Sequence, residues 1–296
     1  MMLPDGASDR SRELWPLALE LAEACPLELG IEIALAGSVS RGWADEHSDI
    51  ELNFWVEEIE PWPGERVRWL QGLGVERIIV DDEAHHTGSW WMEFVYKGTW
   101  VEIGWHSIGY FDRLLQRIVA GEVEDMFEMT AAEMMAHSIA LRDGPNLGRW
   151  REMVRVYPET LRRAMIALGT KDWGEPHYWE LGALRVLRPD ATIAVLRGES
   201  CIRNLLRVLF AVNRQWQPDM RKWTRQWAGT LEKKPERLAE RVLSIFERPI
   251  ARSSHAELLD LVAETLALVP DEYGVAETRR VVENARESWG AWESMA

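Results

Sequence analysis

The feature that most constrains the fold is a change of periodicity near residue 112. Before that point, short apolar segments alternate with a two-residue period, which is typical of β-strands. Beyond it, apolar residues recur every three to four positions, which is typical of helices. The sequence therefore predicts an α+β protein, with a mixed β-sheet domain over residues 1–111 followed by an all-α helical domain over residues 112–296.

Five strands are predicted in the first of these domains. Three are the segments 31–37, 49–56 and 75–82, and two are the arms of a hairpin over 89–107 that turns at Lys97-Gly98. A helix over 11–25, capped by Ser11, precedes them. In the helical domain, Ser254 and Glu257 are predicted to form a capping box, and no convincing strand is present.

Charge and composition exclude several classes of protein. Residues 1–112 contain 22 acidic and 7 basic residues and so carry the whole net charge of −15. This argues against a nucleic-acid partner and is compatible with metal ions, with a cationic substrate, or simply with solubility. The apolar runs are too short for a membrane span, and no secretory signal begins the chain. Two distant cysteines, Cys25 and Cys201, predict core thiols in the reducing cytoplasm.

Two carboxylates, Asp49 and Glu51, lie two residues apart in a predicted strand, so they project from the same face. Neighbouring like charges raise each other's pKa unless a cation lies between them, and Mg²⁺ or Mn²⁺ prefers carboxylate oxygens. Glu102, on a later predicted strand, adds a third carboxylate if that strand runs beside the first. Glu93, on the paired hairpin arm, is the alternative. The plain reading of Asp49 and Glu51 is a strand with one solvated face.

A Gly-Ser pair, Gly37-Ser38, directly follows the first predicted strand. A glycine there allows a ligand to approach the backbone closely. Free N–H groups and the Ser38 hydroxyl can then bind phosphate oxygens. Ser38 can equally serve as a helix cap. The lysine-bearing P-loop motif is absent from the sequence.

These residues together resemble the signature of the nucleotidyltransferase superfamily that includes the DNA polymerase beta-like enzymes. That signature begins with an apolar residue, Gly, and then Gly or Ser. After a gap of about nine to thirteen residues it continues with Asp, an apolar residue, Asp or Glu, and a further apolar residue. Here it is Ala36-Gly37-Ser38 followed by Asp49-Ile50-Glu51-Leu52. The segment "GSVSRGWADEHSDIEL" also resembles the small bacterial members that modify aminoglycoside and lincosamide antibiotics.

The resemblance implies a two-domain enzyme whose N-terminal nucleotidyltransferase domain transfers a nucleoside monophosphate, AMP by expectation, from a nucleotide triphosphate to a hydroxyl of a small acceptor. The acceptor class it suggests is the aminoglycoside-type antibiotics. It implies that Asp49, Glu51 and Glu102 bind two Mg²⁺ ions, with Mn²⁺ as the alternative, and that Glu102 either only binds metal or also accepts the proton. We expect a cytoplasmic monomer or homodimer.

The nucleotide is expected to contact Gly37, Ser38, Arg41 and Lys222. For Arg41 a structural ion pair is the alternative. Lys222 follows Asn213-Arg214 and Trp216 in a pattern similar to one in the family. It also belongs to a basic stretch, residues 203–225, that either clamps phosphates or forms a solvated helix face.

Two further functions remain open from the sequence. One is an antitoxin-like or regulatory member of the superfamily that nucleotidylates a protein. The other is a catalytically inactive nucleotide-binding protein that keeps the fold.

Overall fold

The computed structural model describes residues 2–59, 64–81, 88–123, 126–179, 193–219, 222–248 and 252–295. The chain forms two compact units. The first contains Met1–Val119 with Val123–Val156, and the second contains Ala120–Glu122 with Tyr157–Ala296. Each unit is described by itself below.

The first unit is built on one mixed sheet of six strands, in the spatial order β3-β4-β5-β2-β1-β6. Strands β2 and β5 are parallel, and the other neighbouring pairs are antiparallel. This confirms the predicted mixed sheet. The strands are β1 (Glu32–Leu35), β2 (Ile50–Val56), β3 (Glu76–Asp81), β4 (Ser89–Tyr96), β5 (Thr99–Ser107) and β6 (Ile139–Arg142).

The hairpin of β4 and β5 turns where the sequence predicts. Lys97 and Gly98 both adopt positive φ, of 48° and 76°. Two central residues with positive φ define the tight turn whose twist matches that of antiparallel strands. The turn thereby fixes the register of the hairpin, in which Glu93 faces Glu102.

Six helices accompany this sheet in the described part of the first unit. The first caps itself through Ser8, whose hydroxyl accepts a hydrogen bond from the Ser11 backbone N–H. The predicted cap at Ser11 is therefore wrong, because the Ser11 hydroxyl accepts instead from the Ala44 N–H. The helices are α1 (Asp9–Ala24), α2 (Gly37–Ser40), α3 (Gly64–Gly72), α4 (Ile108–Ala120), α5 (Met126–His137) and α6 (Pro145–Val154).

The sheet is covered on both faces. On one face, Leu14 and Leu21 of α1 join Phe54 and Trp105 in a single buried cluster. On the other face, Trp55 of β2 packs against rings from α4 and α6, with centroids 5.3 Å from Phe111 and 5.5 Å from Trp150. Burial of such large rings is the main favourable contribution to the stability of this unit.

The strand β6 was missed by the sequence analysis, which predicted only helices after residue 111. The strand has only four residues, and a segment of that length is too short for its periodicity to distinguish a strand from a turn of helix. It nevertheless pairs antiparallel with β1. The first compact unit consequently runs past residue 111 to Val156.

In the second unit, helices are the only regular secondary structure among the described residues. Its core includes Leu205 and Leu209 of α8, which lie on the predicted apolar face and are fully buried. The predicted break near Pro158 is confirmed, since α6 ends at Val154 and α7 begins at Glu159. The helices are α7 (Glu159–Thr170), α8 (Ile193–Asn213), α9 (Thr224–Thr230), α10 (Leu238–Glu247), α11 (Arg252–Ala267) and α12 (Ala276–Met295).

The predicted capping box of α11 is wrong. The helix already begins at Arg252, and the Ser254 hydroxyl donates to the Arg248 carbonyl instead of accepting from its own helix. Glu257 pairs with Arg241 of α10. In the part of the chain that the structure describes, none of the helices combines the length and the apolar character needed to cross a membrane.

Candidate active site

The centre of the site is a pair of carboxylates on neighbouring parallel strands. Glu51 of β2 and Glu102 of β5 are register partners, so their Cα atoms lie side by side and their side chains leave the same face of the sheet. Both are half-buried. The structure thus confirms that the strand of Glu102 runs beside the strand of Glu51, which was the condition for the two carboxylates to meet.

Glu93 occupies the next place in the same row. It is the register partner of Glu102 on the opposite side from Glu51, and its carboxylate accepts a hydrogen bond of 3.2 Å from the Trp100 indole. Glu102 therefore separates Glu93 from Glu51. This order favours Glu102 over Glu93 as the carboxylate that acts together with Glu51.

The Gly-Ser motif lies directly against Glu51. Gly37 begins α2 with a φ of +63°. A Cβ atom at this residue would lie 2.5 Å from the Glu51 Cδ and 2.6 Å from one carboxylate oxygen. Only glycine leaves this space open. Ser38 follows in the first turn of α2, is buried, and accepts a hydrogen bond from the Trp43 N–H through its carbonyl.

Substitution of Gly37 by Ala is expected to displace the Glu51 carboxylate and to strain the backbone. The left-handed conformation alone costs an L-residue about 1–2 kcal/mol. The Glu51 side chain has to rotate away because its carboxylate occupies the place of the new methyl group. Calorimetry should show at least a tenfold loss of affinity for a nucleotide–Mg²⁺ complex, a change of about 1.4 kcal/mol.

The matched control is Gly98→Ala, at a hairpin glycine that also has positive φ but has open space around it. It should be strained to a similar degree without losing nucleotide affinity. Equal losses in the two variants would contradict the assigned role of Gly37.

Asp49 lies at the entry of β2, whose first residue is Ile50. The preceding turn is tied by hydrogen bonds between Asp45 and Ser48, including Asp45 N–H to Ser48 Oγ at 2.9 Å. Across the described ranges, no three side chains of His, Cys, Asp or Glu converge closely enough to hold a metal ion. Asp49, Glu51 and Glu102 are thus neighbours in the fold without forming a closed three-carboxylate cluster, and their binding of metal stays a prediction.

A cation of the chain itself lies near these carboxylates. Arg41 directly follows α2. Its guanidinium stacks over the Trp43 ring at 4.9 Å and forms a largely buried ion pair with Glu133 of α5. Burial lowers the pKa of Arg41 to about 10, and the Glu51 charge opposes that shift. The guanidinium is therefore charged at neutral pH and partly balances Glu51. The structural ion pair left open by the sequence is present.

Glu133 is the residue of this site that the sequence analysis missed. It lies 92 positions after Arg41, in a helix whose residues carry no recognisable motif. No local pattern relates the two residues. Only the packing of α5 in the first unit brings them together.

A buried hydrogen-bond network lies on the same face of the sheet, two to four residues along the strands from the carboxylate pair. The His106 Nε2 atom is 2.9 Å from Asn53 Oδ1, and its Nδ1 atom is 2.9 Å from Ser89 Oγ. Burial lowers the pKa of His106 to about 3, so the imidazole is neutral. Because the Asn53 oxygen can only accept, Nε2 carries the proton and Nδ1 accepts from the Ser89 hydroxyl. The network joins β2, β5 and β4 two residues from Glu51.

This network should make the stability of the protein sensitive to acid. The pKa of His106 is about 3 in the folded chain against an ordinary value near 6.5, so between these values only the unfolded chain takes up the proton. His106 should therefore lower the free energy of unfolding by about 2 kcal/mol between pH 7 and pH 5. Urea titrations at the two pH values measure this change in the free energy of unfolding. In His106→Gln the change between pH 7 and pH 5 should be smaller by about 2 kcal/mol.

The control for this prediction is His47→Gln, whose imidazole is exposed. It should retain the acid sensitivity of the unchanged protein. The same pH dependence in His106→Gln as in the unchanged protein would contradict a neutral His106.

The basic stretch of the second unit is largely engaged in contacts within that unit. Arg203 pairs with Glu199, Arg214 pairs with Glu159 at 2.7 Å, and Trp216 is buried against Tyr157. Asn213 bonds to the backbone of Leu209 and Lys233. Arg221 lies outside the described residues.

Lys222 is exposed, and its carbonyl accepts from the Trp227 indole. Lys222 belongs to the second unit, and its contact with a triphosphate stays a prediction.

Comparisons with known proteins give limited similarity. Residues 122–224 match a domain of unknown function (DUF4037), a range that includes Glu133 and Lys222 but none of residues 37–102. No curated protein matches the chain. Among solved structures, the chain is similar to a nucleotidyltransferase-like protein from Exiguobacterium sibiricum 255-15, with 13% identity and a TM-score of 0.31 over 89% of this chain and 78% of that one. This similarity is too low to carry a conclusion.

Proposed function

We propose that the chain is a metal-dependent nucleotidyltransferase that moves a nucleoside monophosphate, AMP by preference, from a triphosphate to a hydroxyl of a small acceptor. The observation that carries the proposal is the register pairing of Glu51 with Glu102, with the Glu51 carboxylate against Gly37. The Gly-Ser motif, the strand that follows it and the later parallel strand thereby form one constellation. The first two parts carry the resemblance to the superfamily signature, and the third adds the carboxylate of Glu102.

Each residue has a proposed role. Asp49, Glu51 and Glu102 would hold the divalent ions, Mg²⁺ or Mn²⁺, and these ions would supply positive charge to the phosphates. Gly37 and Ser38 offer backbone N–H groups and a hydroxyl to phosphate oxygens. In this proposal Glu102 either only binds metal or also accepts the proton of the attacking hydroxyl, as the hydroxyl oxygen bonds to the α-phosphorus and pyrophosphate departs.

Arg41 adds fixed positive charge beside this site, and its ion pair with Glu133 limits where the guanidinium can move. A charged, partly buried guanidinium is well suited to phosphate oxygens. Lys222 is proposed as a further phosphate contact. The acidic composition of residues 1–112 supports a cationic acceptor such as an aminoglycoside. Cys25 and Cys201 are buried free thiols, which supports a cytoplasmic enzyme.

The test is calorimetry with non-hydrolysable ATP and GTP analogues, with and without Mg²⁺, on the unchanged chain and on Asp49→Asn/Glu51→Gln. Glu57→Gln/Glu58→Gln is the matched control, because it removes two exposed carboxylates just after the same strand. We expect metal-dependent binding that the control keeps and the site variant loses. Metal-independent or unchanged binding in the site variant would overturn the proposal.

A second candidate is a nucleotide-binding protein without catalysis. It is favoured by one observation, the lack of a closed three-ligand cluster among the described residues. Metal-dependent binding without pyrophosphate release toward any acceptor, aminoglycosides included, would support this candidate over the enzyme.

A further inference from the structure

The strand β4 presents two side chains, beside the carboxylate pair, that the proposed metal site does not use. Trp91 is the register partner of Gly104, and Glu93 is the register partner of Glu102. Register partners project from the same face of a sheet, and residues two apart in a strand also share a face. Trp91 and Glu93 therefore stand on the face of the sheet that carries the Glu102 carboxylate.

The Trp91 ring lies over Gly104. A Cβ atom added to Gly104 would lie 3.0 Å from both the Cη2 and the Cζ3 atoms of the Trp91 ring. Glycine inside a strand weakens the strand, and it often marks a place where another group approaches the backbone closely. Here the absent side chain leaves the space that the indole occupies, two residues along β5 from Glu102.

Trp91 differs in exposure from the tryptophans that form the core of this unit. Trp55, Trp90 and Trp105 are at most 2% exposed. Trp91 is half-buried, so part of its side chain is open to solvent. Its ring meets that of His106 edge to face, with centroids 5.4 Å apart. A flat apolar ring that remains partly open beside charged groups is suited to bind a ring of a ligand.

Glu93 places a negative charge next to this indole. Its carboxylate accepts a hydrogen bond of 3.2 Å from the Trp100 indole, which orients the carboxylate without neutralising it. In the part of the chain that the structure describes, no lysine or arginine pairs with Glu93. The proposed divalent ions would balance Glu51 and Glu102, so Glu93 is the carboxylate that remains for a cationic ligand.

A saturated ring with an ammonium substituent suits both side chains. The C–H groups on one face of such a ring pack on an indole, and the ammonium group pairs with a carboxylate at its edge. An ammonium group near the indole also gains from the cation–π attraction. An amino sugar has this chemistry. A neutral nucleobase would use the indole alone and leave Glu93 without a cation.

We propose that Trp91 and Glu93 form the acceptor subsite of the proposed nucleotidyltransferase and select an amino sugar as the acceptor. The sugar ring lies on the Trp91 indole, and an ammonium group on that ring pairs with Glu93. Because Glu93 faces Glu102 in the sheet, an acceptor bound in this way is held beside the proposed metal-binding carboxylates. This inference rests on the proposed function, since the metal site is what makes the neighbouring ligand an acceptor.

The test follows the indole N–H signals of the full-length chain, labelled with ¹⁵N at its 17 tryptophans, by NMR. Trp91→Phe and Trp100→Phe assign the two signals of interest. The Trp91 signal reports on the ring of the ligand. The Trp100 signal reports on the charge at Glu93, to which its N–H donates.

The probes are glucosamine and glucose, which share one ring and differ in the ammonium group. They are compared below neutral pH, where glucosamine is protonated. Each is titrated to about 50 mM, a concentration that detects affinities weaker than millimolar. The titrations are run with and without Mg²⁺ and a non-hydrolysable ATP analogue.

We expect glucosamine to shift both signals. Glucose should shift the Trp91 signal only at about fivefold higher concentration, a difference of about 1 kcal/mol for a partly exposed charge pair. Glu93→Gln should lower the affinity for glucosamine to that for glucose. Glu76→Gln, which removes an exposed carboxylate from β3, is the control and should keep the fivefold preference.

Trp91→Leu, followed through the Trp100 signal, should weaken the binding of both sugars, whereas Trp91→Phe keeps a ring and should retain part of the affinity. Unchanged positions of the other indole signals show that each variant is folded.

Two results would overturn the subsite. One is no shift of the Trp91 signal with glucosamine, whether or not the nucleotide binds. The other is a shift of the Trp91 signal by the nucleotide alone that prevents any response to glucosamine, which would assign the indole to the base. Glucosamine binding that depends on Glu93, in a chain that binds no nucleotide, would keep the amino-sugar site and overturn the proposed function instead.

Discussion

Replacement of Asp49 by Asn is expected to lower the rate of the proposed nucleotidyl transfer by about 10³-fold or more, because it removes one charge from the carboxylates proposed to bind metal while keeping the shape of the side chain. Asp49 is half-buried at the entry of β2, after a turn held by Asp45 and Ser48. The substitution leaves that turn and the sheet unchanged. Its effect should therefore appear in turnover and not in stability.

The measurement is pyrophosphate release with ATP, Mg²⁺ and an aminoglycoside panel, alongside thermal unfolding. Glu46→Gln, at an exposed position of the same turn, is the control and should retain activity. A fully active Asp49→Asn variant would refute the nucleotidyltransferase assignment. If activity were low because the variant unfolds, its melting temperature would fall together with the rate.

Replacement of Glu32 by Ala is expected to destabilise the first unit by about 3 kcal/mol, because it leaves buried donors without an acceptor. Glu32 is 1% exposed on β1, and its carboxylate accepts from the Asn146 N–H, the Asn146 side-chain amide and the Leu147 N–H. These groups form the start of α6. Gly144 is the N-cap residue of α6 and has no side chain to accept these hydrogen bonds. The Glu32 carboxylate therefore caps the helix in its place.

Urea unfolding measures this loss of stability, and the Glu32→Gln variant serves as an intermediate case. Gln retains one accepting oxygen, so it should lose about half as much free energy of unfolding as Ala. Glu28→Ala, an exposed position shortly before the same strand, should be close to neutral. If Glu32→Ala were as stable as Glu28→Ala, Glu32 would not be the cap of α6.

Local patterns predicted most of the sheet. The strand β2 was recognised from its alternation, and the hairpin of β4 and β5 from its strands and from Lys97-Gly98. Both signals act within a few residues of the chain, so they are visible without knowledge of distant contacts. The strand β6 was missed because its formation depends on pairing with β1, more than 100 residues earlier, and not on its own four residues.

The candidate site divides in the same way. The spacing of Gly37, Asp49 and Glu51 is a local pattern, and the fold brings two of these residues, Gly37 and Glu51, into contact. Their exact partners depend on tertiary packing, which one sequence does not encode in readable form. The sequence therefore did not predict the ion pair of Glu133 with Arg41. It also did not predict the hydrogen-bond network of His106 near the carboxylates.

The pairing of β6 with β1 determines where this chain can be cut. A fragment ended at residue 111, the boundary suggested by periodicity, would strip the neighbour from one side of β1 and leave its N–H and C=O groups unpaired along that side. The same cut would remove α6, the helix whose first residues the Glu32 carboxylate caps. An open strand edge is a template for pairing with another chain and so for self-association. Work on the isolated first unit should therefore use a fragment that extends through Val156.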